Sequence, residues 1–109
     1  MRKIPLQLRE EMGNSKFYKR CCLQDSECSG RIEFHHNLIF GGKQVNEEFC
    51  ILPICHWHHD REKNQIYKEK LNWIMWSRAT NEQVQSYSKA TNYQQVKDRL
   101  IKLYGIYKL

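Results

Sequence analysis

Residues 51–59 read Ile51-Leu52-Pro53-Ile54-Cys55-His56-Trp57-His58-His59, a short apolar run that gives way within one residue to a cluster of metal-binding side chains. The apolar stretch from Phe49 to Ile54 carries Pro53 and suits a buried extended segment better than a helix. From about Cys55 to Arg78 the pattern turns helical. Ile66, Tyr67, Leu71, Ile74 and Met75 recur at three- and four-residue steps, leaving Lys63, Lys68, Glu69 and Lys70 largely for the other side. Trp73 and Trp76 widen the apolar face, and core packing is their expected role.

Upstream, Arg31-Ile32-Glu33-Phe34-His35 alternates polar and apolar residues, the signature of a half-buried strand, and it ends in the pair His35-His36. Before it, Cys21-Cys22 and Cys28 flank the polar turn Leu23–Glu27, as the cysteines of a zinc-knuckle hairpin would. Gly41-Gly42 marks a turn. Ile4 to Met12 reads as a short helix, with Pro5 in its first turn and Gly13-Asn14 ending it. Downstream, Ala79-Thr80-Asn81-Glu82-Gln83-Val84 is echoed by Ala90-Thr91-Asn92-Tyr93-Gln94-Gln95-Val96. In each, a Thr followed three residues later by Gln fits a capping box, so two helix starts are expected. The last helix sets Tyr93, Val96, Leu100, Leu103, Tyr104 and Tyr107 on one stripe, predicted to pack back on the long helix. The expectation is an α+β chain with a metal-stapled core at about 16–78 and a C-terminal helical extension at about 79–109.

A chain of 109 residues suits one domain, residues 1–109, and is short enough that a structural metal would help its small core. The net charge of +6 is spread along the chain and suits a polyanionic partner, because each Lys or Arg near a phosphate releases counterions. No apolar run approaches the roughly 20 residues that a membrane span needs. Met1-Arg2-Lys3-Ile4-Pro5 has no apolar h-region behind it, so neither a secretory signal nor a membrane role is expected. The expected location is cytoplasmic, bacterial or phage-encoded in a host cytoplasm, where disulfides are disfavoured; four of the five cysteines sit close to histidines and read as metal binding.

Two metal sites can be assembled from these residues. Zinc takes four tetrahedral sulfur or nitrogen ligands, usually as two short-spaced pairs. Cys55 and His58 form one pair at a helix start; Cys28 and either Cys21 or Cys22 form the other. Adjacent strand residues point to opposite faces, so only one of Cys21 and Cys22 should ligate, and Cys22 is favoured because it closes the tighter loop. Cys50, alone in an apolar run, reads as core. The second site would be catalytic. Phosphodiester hydrolysis needs an activated water and charge stabilisation at the phosphate; a histidine can act as the base and a divalent ion can hold the phosphate. His35 and His36 diverge, so one can hold the ion while the other faces the water. His59, about 100° round the helix from His58, could be a second ligand to that ion.

Taken together, His35-His36, Gly41-Gly42, Gln44-Val45-Asn46, Ile51-Leu52-Pro53-Ile54-Cys55 and His58-His59 resemble the HNH endonucleases of phage and prophage type, over roughly residues 21–63. The resemblance implies a ββα-metal core with a treble-clef zinc site, followed here by C-terminal helices. It implies His36 as general base and Asn46 as the residue that orients it. His35 and His59 would be ligands of a catalytic Mg²⁺ or Mn²⁺, and Cys22, Cys28, Cys55 and His58 ligands of a structural Zn²⁺. The sequence departs from the family pattern at His58, where many relatives have cysteine, and at Lys63, where some carry a further metal-binding histidine. His56 has no role in the pattern and is expected to be exposed. Lys16, Lys19, Arg20, Lys43, Arg61 and Lys63 are the candidate phosphate contacts on DNA, and a homodimer or protein partner would complete any double-strand cut.

Two other classes compete with an endonuclease. A non-catalytic zinc module that binds DNA or protein needs the Cys/His quartet but has no use for His35, His36 and His59. A thiol redox protein built on Cys21-Cys22 lacks the usual C-x2-C motif in a βαβ setting.

Overall fold

The computed structural model describes residues 4–39, 44–88 and 92–104, a mixed α+β arrangement of a two-stranded sheet and helices. The predicted turn at Gly41-Gly42, together with Lys43, Thr91 and Tyr107, lies outside the described residues. Helix α1 spans Leu6–Gly13 with Pro5 at its N-cap, close to the span expected from Pro5 and Gly13. A 3-10 turn at Lys16–Lys19 follows.

Strand β1 (Ile32–His36) pairs antiparallel with β2 (Ile51–Cys55), with Ile32 opposite Cys55 and His36 opposite Ile51. Residues paired across the ladder face the same side, so the two faces of the sheet can be told apart. Phe34, His36, Ile51 and Pro53 lie on one face, where Tyr18, Met12 and Ile4 pack with Ile51. Glu33, His35, Leu52 and Ile54 lie on the other, where Leu52 and Ile54 join the main core with Leu71, Met75, Trp76, Val84, Val96 and Leu100. Both faces are covered, and every residue of β2 is buried, as its unbroken apolar sequence predicts.

The helical pattern expected from Cys55 to Arg78 is broken in two. Helix α2 is a single turn, His56–His59, and α3 begins only at Gln65 and runs to Arg78. The break is set by Asn64, whose side-chain oxygen accepts from the Ile66 N–H (3.0 Å) and caps α3. The buried face of α3 runs through Leu71, Asn72, Met75 and Trp76, which leaves Ile66 and Trp73 outward, at 63% and 53% exposure, against the expectation that both pack inward; Trp76 is buried as expected. Helix α4 (Asn81–Ser88) starts with the predicted capping box: the Gln83 N–H donates to Thr80 Oγ1 (3.1 Å) and the Thr80 N–H to Gln83 Oε1 (2.9 Å). Helix α5 (Tyr93–Tyr104) is instead capped by Asn92, whose Oδ1 accepts from the Gln95 N–H. Its Val96 and Leu100 are buried, whereas Leu103, placed on the same predicted stripe, is 46% exposed. No helix among the described residues is long and apolar enough to cross a membrane.

The loop between Cys21 and β1 is pinned by backbone bonds. The Cys22 N–H donates to the Pro53 carbonyl (2.8 Å), and the N–H groups of Trp57 and His56 donate to the carbonyls of Ser29 and Arg31. Gly30 sits between those two carbonyls with φ +87, and a Cβ there would lie 2.8 Å from the Cβ of His56. Both the left-handed backbone and the close approach of the His56 Cβ exclude a side chain. Gly30→Ala is therefore expected to lower stability by at least about 1–2 kcal/mol, read as a fall in the thermal or urea midpoint. An unchanged midpoint would refute this account of the loop.

Candidate metal centres

Cys21, Cys28, Cys55 and His58 come together as one group whose ligand atoms all lie within 4.8 Å of one another. His58 Nδ1 is 3.0 Å from Cys55 Sγ, 3.7 Å from Cys28 Sγ and 3.8 Å from Cys21 Sγ. A tetrahedral zinc with its usual bond lengths sets sulfur and nitrogen about 3.6 Å apart, so the donors fit a metal such as zinc in type, number and spacing. His58 is fully buried, between the rings of Trp57 and Tyr67. Its far nitrogen, Nε2, donates to Asp25 Oδ2 (2.9 Å), which fixes Nδ1 as the ligand nitrogen. Partial desolvation of Asp25 works against its ionisation, but the bonds from His58 and the Glu27 N–H outweigh it and hold the carboxyl below its usual range.

The thiols show the same preparation. Burial opposes ionisation of Cys55, yet the backbone N–H groups around it and the facing His58 bring its thiol down to about 6. Desolvation and the neighbouring sulfurs push Cys28 up to about 11. Repulsion among clustered thiolates of this kind is what a divalent cation relieves.

The group takes Cys21, not Cys22. The loop-length criterion that favoured Cys22 carries almost no energy: closing a loop one residue shorter gains about 0.1 kcal/mol. The backbone bond from Cys22 to Pro53 decides instead, because it leaves Cys21 buried beside Cys55 and sets the Cys22 thiol against the core, outside the group. Cys50 is fully buried, as expected.

A second group that could hold a metal is His35, His59 and Glu62. The rings of His35 and His59 lie edge to face with centroids 5.5 Å apart. Glu62 Oε2 is 2.6 Å from His35 Nδ1 and 3.7 Å from His59 Nε2. Although the first contact is short enough for an ion pair, neither of its atoms makes a hydrogen bond of acceptable geometry, and both are buried. Burial holds the His35 pKa below the usual imidazole value and favours the neutral ring, with the Glu62 charge opposing. The donor chemistry of two imidazoles and a carboxylate is of the kind that could hold a metal ion. His59 Nδ1 donates to Glu33 Oε1 (2.8 Å), leaving Nε2 for the site. That bond, with those from Arg31 and His56, holds the Glu33 carboxyl down to about 2 despite some desolvation.

On the opposite face of β1, His36 Nε2 donates to Asn46 Oδ1 (2.9 Å), and His36 is only 6% exposed. His56 is exposed, as expected, with its side chain near Glu33 and Asp60. Lys16, Lys19, Arg20, Arg61 and Lys63 are on the surface. Arg61 is not free there: it donates to the Trp57 carbonyl (2.8 Å) and lies over the Trp57 ring at 3.9 Å.

Sequence reading missed Glu62, Glu33 and Asp25. Glu62 had a signal, since residues three apart on a helical turn share a side with His59. Glu33 had a weaker one, two residues before His35 on the same strand face. Asp25 had none beyond being acidic in a polar turn. The molecule so described is a small α+β domain with a Cys3His group that could hold a metal such as zinc and a His2Glu group beside it. Comparison of the chain with family models, curated proteins and solved structures found no match.

Proposed function

We propose that this protein is a metal-dependent DNA endonuclease of the HNH kind, its fold a ββα-metal core stapled by zinc. The observation that carries the reading is the His35–Glu62–His59 group, prepared for a cation and joined to the zinc quartet through the adjacent residues His58 and His59. A zinc-binding module alone has no need of that second group.

In this reading the residues divide the work as follows. Cys21, Cys28, Cys55 and His58 hold zinc and fix α2 against the end of β2. His35, His59 and Glu62 hold the second ion, which when bound supplies positive charge to the scissile phosphate and the departing 3′-oxygen. His36 is the general base. Its bond to Asn46 puts the ring proton on Nε2, so Nδ1 carries the free lone pair that takes a proton from the attacking water. Lys16, Lys19, Arg20 and Lys63 are exposed cations that meet the DNA backbone.

Two imidazoles and one carboxylate favour Mn²⁺ and the later first-row ions over Mg²⁺, which prefers all-oxygen sites. The test is supercoiled plasmid incubated with zinc-loaded protein freed of other metals, then titrated with Mg²⁺, Mn²⁺ or Ni²⁺. Nicking is expected only with added metal, and at lower concentrations of Mn²⁺ or Ni²⁺ than of Mg²⁺. Glu62→Gln should raise the metal concentration needed by at least about a hundredfold, the upper end of what loss of a supporting residue usually costs, without releasing zinc. A folded, zinc-loaded protein that binds DNA but fails to cut it with any of the three metals would end the nuclease reading in favour of the binding module.

A further inference from the structure

Alternation along β1 does not stop at its last residue. The Asn37 N–H donates to the Cys50 carbonyl (2.8 Å), continuing the ladder one step and setting Asn37 on the face that carries Glu33 and His35. Its side chain then meets three groups. Nδ2 lies 2.8 Å from Asn72 Oδ1 and 3.3 Å from Met75 Sδ, both on α3, and Oδ1 lies 3.3 Å from His35 Nε2. His35, Asn37 and Asn72 are all between 6% and 8% exposed, so water does little to blur these preferences.

We propose that Asn37 and Asn72 form a positioning pair that fixes His35 as its Nε2-protonated tautomer and turns the bare Nδ1 toward Glu62 and His59. The role of that nitrogen rests on the reading of His35, His59 and Glu62 as metal ligands. The argument follows from what each atom can do. An amide nitrogen only donates, and the two atoms facing Asn37 Nδ2 on α3 are acceptors, so that end of the amide is committed to the helix. The amide oxygen is left for His35, and an amide oxygen only accepts. His35 Nε2 must therefore carry the ring proton, and in a neutral imidazole Nδ1 is then unprotonated. Nδ1 is also the nitrogen 2.6 Å from Glu62 Oε2.

A buried amide pair is a poor way to gain stability, since its desolvation cancels most of what its hydrogen bonds return. Two apolar residues would fill the same space between β1 and α3. What the amides add is direction. They also tie the orientation of His35 to α3, an element that carries none of the proposed ligands.

The experiment is long-range ¹H–¹⁵N NMR of the histidine rings in zinc-loaded protein with no second metal, followed by titration with Mn²⁺ or Ni²⁺. The wild-type His35 ring is expected to show protonated Nε2 and bare Nδ1. Asn37→Leu and Asn72→Leu should relax that bias toward a mixture and weaken binding of the second ion about ten- to a hundredfold, the usual effect of losing a supporting partner. Asn72→Asp keeps an acceptor for Asn37 and should keep the wild-type tautomer. A wild-type ring protonated on Nδ1 would overturn the proposal, and that measurement needs no variant to fold. So would a folded Asn37→Leu with unchanged tautomer and affinity. A wild type that binds no second ion, yet shows the tautomer and loses it in Asn37→Leu, would uphold the pair and overturn the ligand reading.

Discussion

Cys21→Ser is expected to abolish tight zinc binding and, with it, the cooperative fold, while Cys22→Ser, one residue along, keeps both. A structural zinc contributes about 10–16 kcal/mol of folding free energy in small domains, as much as or more than the roughly 5–15 kcal/mol by which a domain is stable. Here the dependence should be strong. The stretch from Cys21 to Arg31 has no helix or strand of its own, and α2 is a single turn of four residues, too short to persist unless held. Cys21 and Cys28 come from the loop, Cys55 and His58 from the turn, and a metal held by all four would join them. The Cys22 thiol lies outside that group, half-buried against the core, where burial and the nearby Cys21 push it up to about 12. Replacing it by Ser puts a hydroxyl in an apolar setting at a cost of about 1–3 kcal/mol, without touching the ligands. Zinc stoichiometry by native mass spectrometry and thermal unfolding by circular dichroism would decide. Zinc lost from Cys22→Ser and retained by Cys21→Ser would reverse the assignment.

His36→Ala should lower the rate of plasmid cleavage by about 10²–10⁴, the range ascribed to a positioned general base, while leaving zinc content, second-metal affinity and DNA binding near wild type. The separation follows from the strand. His36 points to the face opposite His35, so its loss removes no proposed ligand, and its recorded partner is Asn46 across the loop. Truncating a nearly buried, hydrogen-bonded ring costs about 1–3 kcal/mol of stability, so the comparison has to be made well below the unfolding midpoint. Asn46→Ala is expected to fall between the two, because the ring survives but the proton is no longer held on Nε2. Full activity in His36→Ala would remove His36 from the chemistry. A parallel loss of second-metal binding would make it a ligand and not a base.

How much of this was legible beforehand depended on periodicity. Strand β1, strand β2 and the start of α2 could be read because alternation and an unbroken apolar run impose a side-chain direction at each residue, and they placed His35, His36, Cys55, His58 and His59 close to where the structure has them. The choice between Cys21 and Cys22 failed because those residues lie in an irregular loop, where direction comes from a backbone bond to Pro53 that no local pattern encodes. Ile66 and Trp73 were assigned inward because only apolar residues were counted; the buried face runs through Leu71, Asn72, Met75 and Trp76 and includes a polar side chain that an apolar pattern passes over. The supporting residues Asp25 and Asn72 were out of reach for a different reason. Each acts through a contact between segments distant in the chain, which sequence spacing does not report.

Strand β1 sorts its side chains by parity. Odd positions 33, 35 and 37 serve the His35–His59–Glu62 group, and even positions 34 and 36 serve the opposite face with Tyr18 and Asn46. A substitution within this stretch alters contacts on one face only. A single-residue insertion or deletion would exchange the two sets, sending each histidine to the other's surroundings while leaving the composition nearly unchanged. Across variants of this chain, then, the stretch can vary in residue type far more readily than in length, and any change of length must come in the loops on either side.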